Sequence, residues 1–143
     1  MRPAHLEELH SIAQGMRKVF LHALKHSLKH TSTQGACFYA RLLLQPAIEN
    51  FTSFTATIRG GSPDESAGYQ TADGVLHGHY WVQADPRALL QGESSETQAW
   101  VVDITADQLG APPVLVMPPG EAACCYFPGN QSEVERHVRE FGL

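Results

Sequence analysis

The chain has 143 residues, of which 43% are hydrophobic and 17% are charged, and its formal net charge is −5. This composition is typical of a folded domain, and it argues against a disordered chain and against a basic nucleic-acid-binding surface. No apolar run approaches the roughly 20 residues that a membrane-spanning helix needs. We therefore expect one domain over residues 1–143, with neither a membrane nor a nucleic-acid partner.

The N-terminal segment and the cysteines indicate the compartment. Residues 1–20 carry early acidic residues and lack the continuous apolar stretch of a signal peptide. The three cysteines, Cys37, Cys124 and Cys125, are an odd number and suggest no disulfide framework. Because disulfides are rare in the reducing cytosol, both observations predict a cytoplasmic protein.

Two helices are predicted in the first third of the chain. Apolar residues recur at helical spacing across residues 5–29, which predicts an amphipathic N-terminal helix within residues 1–30. The polar stretch 29–36 then forms a turn, and a second helix is predicted over residues 36–48. Pro46 is expected to end or kink the second helix, because proline lacks a backbone N–H and clashes with the preceding turn.

Strands are predicted in the middle of the chain, where β-branched and aromatic residues are frequent. They cover residues 51–59, about 75–84, and 98–104, with the polar segment 60–74 as a loop. Shorter strands are predicted in "PPVLVMPPG", whose prolines favour a sheet edge, and in "AACCYFP".

A closing helix is predicted over residues 131–143, with Ser132 as its N-cap and Gly142 as its stop. The order of elements is two helices, an antiparallel sheet and a last helix. This order predicts an α+β fold. The candidate site described below falls in a core segment over residues 34–127.

Cys37 is the first candidate for chemistry. It falls at the predicted start of the second helix, where unpaired backbone N–H groups and the positive end of the helix dipole favour a thiolate. The thiolate is the nucleophilic form of cysteine, and the same N–H groups can stabilise an oxyanion beside it. The alternative is that Cys37, next to Phe38, is a small buried hydrophobic residue.

A histidine and a carboxylate occupy two predicted strands whose other residues are typical of a buried core. Alternate residues of a strand share a face, so His77, His79 and Trp81 are predicted to lie on one side of their strand. If that strand pairs with residues 98–104, His79 and Asp103 can meet across the ladder. A carboxylate holds an imidazole in one tautomer and stabilises its protonated form. The alternatives are a hydrogen-bonded core histidine and an aspartate that caps the following turn.

Three stretches carry a family resemblance: "QGACFYARLLL", "HGHYWVQ" and "WVVDITADQLG". Their order of Cys, His and Asp resembles the transglutaminase-like branch of the papain-like cysteine enzymes. The last stretch is similar to an "IIDITADQF"-type strand in small bacterial proteins, and "DITADQ" is its most specific part. Lasso-peptide leader peptidases and arylamine N-acetyltransferases share the same order, and the resemblance covers residues 34–116.

The resemblance implies a papain-like or transglutaminase-like core, in which the helix carrying Cys37 packs on the antiparallel sheet. It implies Cys37 as the nucleophile, His79 as the general base and Asp103 as the residue that orients the imidazole. Gln34 would donate a hydrogen bond to the oxyanion, as an upstream glutamine does in papain-like enzymes. The alternative for Gln34 is a solvated loop residue.

His77 allows two interpretations. With His79 and either Asp103 or Cys37, it would form a tetrahedral zinc site. In the triad interpretation, no metal or other cofactor is expected, and His77 and Trp81 line the site instead.

The remaining histidines and cysteines are expected to be structural or solvated. His22, His26 and His30 recur every four residues on the first helix, where lysines between them favour a solvated stripe over a metal site. Cys124 and Cys125 fall in a predicted apolar strand and are expected to be structural.

Three functions remain open from the sequence. The first is a cysteine hydrolase or acyl-transfer enzyme that acts on a peptide, a protein or a small amide or acyl donor through an acyl-enzyme on Cys37. The second is an inactive member of the same fold, with its cleft filled by Phe38 or Tyr39, that binds a peptide or protein partner. The third is a metal-binding protein built on His77 and His79. The sequence does not indicate an oligomeric state.

Overall fold

The computed structural model describes residues 4–26, 33–87 and 99–140; within these ranges, the side chains of residues 4, 5, 26 and 33–39 lie outside the description. The fold is α+β, as predicted, with two long N-terminal helices, two antiparallel sheets and a closing helix. None of the helices in the described ranges is long and apolar enough to cross a bilayer.

The two long helices are α1 (Ala4–His26) and α2 (Thr33–Phe51). α2 begins earlier than the predicted residue 36. It continues past Pro46 to Phe51, so the prediction that Pro46 ends the helix is wrong. Pro46 is exposed. The backbone hydrogen bond that it lacks therefore falls on the solvent side of the helix, where water can replace it.

The strands and the shorter helices complete the fold. In the described part of the chain, they are β1 (Phe54–Gly61), β2 (Gly68–Gln70), β3 (Leu76–His77), β4 (His79–Pro86), β5 (Trp100–Asp103), β6 (Leu115–Met117), α3 (Pro119–Ala122), β7 (Tyr126–Phe127) and α4 (Gln131–Glu140). One antiparallel sheet has the order β1-β4-β5-β6, and a smaller one has the order β3-β2-β7. β6 lies at the edge, as its flanking prolines predicted.

Several boundaries differ from the sequence prediction. The strand predicted at 75–84 is broken at Gly78 into β3 and β4, which belong to different sheets. The segment predicted as a loop, 60–74, contains β2 and a 3₁₀ turn. The first residues of "AACCYFP" end α3 and form a turn before β7. Asn130 rather than Ser132 caps α4, since its Oδ1 accepts the Glu133 N–H at 3.2 Å.

The larger sheet is covered differently on its two faces. Helices α1 and α2 pack on one face, where Leu44 and Ile48 of α2 contact a core that includes Val82 and Val102. The opposite face carries a second cluster, made of Tyr69, Trp81, Val101, Ala122 and Tyr126. Because side chains alternate along a strand, His79 and Asp103 belong to this second face.

Gly68 permits the close approach of the smaller sheet's strands. Its φ is +118°, and a Cβ there would lie 2.0 Å from the carbonyl oxygen of His77. Only glycine adopts this conformation without strain. The residue therefore fixes β2 against β3, and β2 in turn carries Tyr69 toward the second face of the larger sheet.

Candidate active site

His79 and Asp103 meet on the second face of the larger sheet, as the alternation of their strands predicts. Val82 of β4 is opposite Val102 of β5, which places Asp103 diagonally across the ladder from His79. The Nε2 atom of His79 lies 2.7 Å from Oδ2 of Asp103. The two side chains are 2% and 0% exposed, so they form this contact away from solvent.

Asp103 is the centre of a larger buried network. Its Oδ1 atom accepts hydrogen bonds from Nη2 of Arg41 at 2.7 Å and from the Thr105 N–H at 3.0 Å. Its Oδ2 atom also accepts from the Tyr126 hydroxyl at 2.7 Å. Burial by itself would raise the pKa of Asp103, but a positive charge on His79 when it is protonated, the charge of Arg41 and the donated hydrogen bonds hold it well below its usual range.

Arg41 is the side chain by which α2 reaches this network. Its guanidinium is fully buried, and besides Asp103 it donates from Nε to the Tyr80 carbonyl and from Nη2 to the Thr105 hydroxyl. The sequence patterns did not indicate Arg41 as a site residue. The available signal was an arginine within the apolar run "ARLLL", because an arginine on a core-facing helix stripe needs a buried acid as its partner.

Three aromatic rings surround His79. The ring centroids of Tyr69, Trp81 and Tyr126 lie 5.9, 6.4 and 6.2 Å from that of the imidazole. Burial and the neighbouring charge of Asp103 raise the pKa of Tyr126, which therefore stays a neutral hydrogen-bond donor. Trp81 was predicted to line the site and is adjacent to His79, whereas Tyr69 and Tyr126 were not predicted, because their strands are short and distant in sequence.

His77 lies outside this network. It belongs to β3 and is paired with Tyr69 of β2, so it does not share a strand face with His79 as the sequence suggested. The break at Gly78 separates the two histidines. Among the described residues, no group of three or more histidine, cysteine or acidic side chains is arranged to hold a metal ion. The histidine pair therefore gives no support to the metal-binding hypothesis.

The first turns of α2 carry Gln34, Cys37, Phe38 and Tyr39, and their side chains lie outside the described ones. The helix begins at Thr33, so Cys37 is its fifth residue, whereas the predicted start at residue 36 made it the second. The unpaired N–H groups of a helix belong to its first turn. The predicted activation of Cys37 by such groups is therefore weaker than the sequence suggested.

The other cysteines and histidines are placed as follows. Cys124 is exposed and Cys125 is half-buried in the turn between α3 and β7, rather than in a strand. Their Sγ atoms lie 3.3 Å apart. Of the three histidines in the predicted stripe, His22 is exposed on α1. The side chain of His26 and the whole of His30 lie outside the part of the chain that the structure describes.

The charges of the network determine what it can do. Arg41 and Asp103 neutralise each other, so a neutral His79 leaves the buried group without net charge. A protonated His79 would add an uncompensated buried charge unless a second anion is near. A thiolate is such an anion, and a thiolate–imidazolium pair would again bring the net charge to zero.

Comparisons with family models, with curated proteins and with solved structures give no match to this chain. A function must therefore be argued from the chemistry of the site, since a fold class alone does not imply one.

Proposed function

We propose that this protein is a cysteine hydrolase or acyl-transfer enzyme of the papain-like or transglutaminase-like type, with Cys37 as nucleophile, His79 as general base and Asp103 as its orienting residue. The observation that carries the proposal is the buried contact of 2.7 Å between Nε2 of His79 and Oδ2 of Asp103. This contact uses Nε2, so proton exchange with a nucleophile would take place at Nδ1.

The path of α2 along the sheet supports Cys37 as the nucleophile. Gln45 donates to the carbonyl of Ala56 at 3.0 Å, and Ala56 is opposite Ala84 of β4. One turn earlier, Arg41 donates to the carbonyl of Tyr80. Residues nearer the N-terminus of α2 therefore lie nearer the beginning of β4. Cys37 is one further turn back, in the direction of the strand end where His79 lies.

The chemistry then follows from general principles. Nδ1 of His79 takes the proton of the Cys37 thiol, and the sulfur attacks the carbonyl carbon of an amide or ester. The protonated His79 gives its proton to the leaving amine or alcohol as the tetrahedral intermediate collapses to a thioester. Water or an acceptor amine, deprotonated by His79, then attacks the thioester and releases the thiol. The buried carboxylate keeps the imidazole oriented in both steps, as in other triads.

Thiol reactivity tests this proposal. The alkylation rate of each cysteine by iodoacetamide would be measured by peptide mass spectrometry from about pH 5 to 9, across the usual thiol pKa of about 8.5. The variants are His79→Gln and, as a matched control, His77→Gln, with the exposed Cys124 as an internal reference. Circular dichroism verifies that each variant is folded.

We expect Cys37 to react at a lower pH than Cys124 in the wild type and in His77→Gln, and to lose that advantage in His79→Gln. A pH profile of Cys37 that matches that of Cys124 in the wild type would overturn the proposal. Equal profiles in wild type and His79→Gln would overturn the role of His79.

One observation favours a second candidate, an inactive member of the same fold that binds a peptide or protein partner. Arg41 already compensates the charge of Asp103, and His79 is 2% exposed, which is the arrangement of a structural polar network in a core. This candidate predicts an unreactive Cys37 in all three proteins and an unchanged fold in Cys37→Ala.

A further inference from the structure

A groove lies on the second face of the larger sheet, between the sheet and the segment from α3 to β7. Its volume is about 220 Å³, and two aromatic side chains, Trp81 and Tyr126, form part of its wall. Its other lining residues are mostly small or apolar: Val101, Pro119, Ala122, Ala123 and Pro128, together with Arg59 and Gln83. The groove therefore has apolar walls and a single charged side chain.

Arg59 has hydrogen-bonding capacity that the described residues do not use. Its Nε atom is buried and has no acceptor among them. Its contact with Gln83 is long, with Nη1 at 3.5 Å from Oε1, and the amide nitrogen of Gln83 is directed to Asp85 at 3.2 Å. Buried arginine donors normally have partners, so an incompletely bonded guanidinium on a residue that lines a groove favours an acceptor that binds in the groove.

Two other arginines of the described ranges bind carboxylates, and they indicate what the missing partner would be. Arg41 is bound to the carboxylate of Asp103, and Arg17 forms a two-bond contact with the carboxylate of Asp107 at 2.8 and 2.9 Å. Arg59 forms no ion pair within the described ranges of the chain. A guanidinium presents paired donors that match the two oxygens of a carboxylate.

We propose that this groove binds a small carboxylate with a flat apolar body, with the carboxylate on Arg59 and the body against Trp81 and Tyr126. The volume of the groove is below the roughly 300–1,000 Å³ of pockets for drug-sized ligands, so the ligand is of the size of one aromatic side chain. One arginine matches a singly charged carboxylate. A phosphate would need further donors that the apolar walls do not provide.

The groove is a different site from the His79–Asp103 pair, although they share a wall. Trp81 faces the groove, and its ring also stacks on His79 at an interplanar angle of 27°. A ligand in the groove would therefore contact Trp81, whereas neither His79 nor Asp103 lines the groove. The inference does not depend on the proposed enzyme function, and each can fail without the other.

Tryptophan fluorescence tests this inference directly. The chain has two tryptophans, so a Trp100→Phe background leaves Trp81 as the reporter. The probes are phenylacetate and its uncharged isostere phenylacetamide, titrated at constant ionic strength. Both are added to the Trp100→Phe protein and to the same protein with Arg59→Gln or Arg59→Lys.

We expect phenylacetate to change the Trp81 emission with saturation, and phenylacetamide to bind at least tenfold more weakly. Arg59→Gln should remove the preference for the carboxylate, and Arg59→Lys should retain part of it, because lysine keeps the charge but not the paired donors. Equal affinities for the two probes, or no saturable change with phenylacetate, would overturn the inference. The two probes are compared on the protein that retains Arg59, so the inference is tested even if the Arg59 variants do not fold.

Discussion

Asp103→Asn is predicted to be strongly destabilising, because it removes the anion that compensates Arg41. Both side chains are 0% exposed and form a 2.7 Å ion pair. Breaking a buried ion pair on one side leaves the other charge unpaired and costs about 3–5 kcal/mol. The asparagine amide group would also be directed toward the donors of Tyr126 or Thr105, which now bond to a carboxylate.

This loss is large relative to the total stability of a domain, which is about 5–15 kcal/mol. With a urea m-value of about 1–3 kcal/mol/M, the unfolding midpoint should move down by about 2 M. The assay is urea unfolding at neutral pH, followed by both tryptophan fluorescence and far-ultraviolet circular dichroism. Coincident transitions would establish that the unfolding free energies can be compared.

Asp107→Asn is the matched control, since it makes the same chemical change in an ion pair near the surface. Asp107 pairs with Arg17, and the two side chains are 38% and 17% exposed. Such pairs contribute about 0–1 kcal/mol. A loss below about 1 kcal/mol in Asp103→Asn, or equal losses in the two variants, would refute the assignment of Arg41 and Asp103 as a buried pair.

A double-mutant cycle separates the pair from its surroundings. Arg41→Met alone leaves Asp103 as a buried anion with less compensation, so it should also be strongly destabilising. The variant that combines Arg41→Met with Asp103→Asn contains neither charge. Its loss should therefore be smaller than the sum of the two single losses. Additive losses would contradict a direct interaction between the two residues.

Three further outcomes are expected from the same unfolding assay. The pKa of Asp103 is lowered in the folded state, so its ionised carboxylate contributes to the free energy of unfolding above the unfolded carboxyl pKa of about 3.9, and this contribution is lost as the pH falls below that value. The wild type should therefore lose more stability on acidification than Asp103→Asn, and parallel profiles of stability against pH would contradict this. Tyr126→Phe removes a hydrogen bond to a charged group and should cost about 1.5–3 kcal/mol, and a neutral effect would count against that bond. Gly68→Ala should destabilise the protein by about 1–3 kcal/mol or more, because a Cβ there meets the backbone. Gly15→Ala, at an open position of α1, should stabilise it by roughly 0.5–1 kcal/mol, and changes of the same sign in both variants would show that the steric argument is wrong.

The meeting of His79 and Asp103 could be predicted from the sequence because strand alternation has a strict period of two. Once the two strands are neighbours, the residues that share a face follow from counting. The break at Gly78 could not be predicted in this way. It depends on the separate pairing of His77 with Tyr69, and a two-residue strand leaves too few residues for a pattern.

Other features of the site depend on contacts between residues distant in sequence. Arg41 and Asp103 are separated by 62 positions, and no local pattern indicates which acid an apolar helix stripe will contact. Tyr126 likewise reaches Asp103 from a two-residue strand. The start of α2 at Thr33 was not predicted because Gly35 favours a turn, although a single glycine is tolerated within a helix.

Formation of an acyl-enzyme is the most direct test of the central claim that Cys37 is a nucleophile served by His79. The protein would be mixed with p-nitrophenyl acetate, quenched in acid after short times and mapped by peptide mass spectrometry, with His79→Gln in parallel. The proposed function predicts a burst of nitrophenolate and an acetyl group on Cys37 in the wild type, and neither in His79→Gln. Acetylation of Cys37 no faster than that of the exposed Cys124, or equal acetylation with and without His79, would contradict the proposed function.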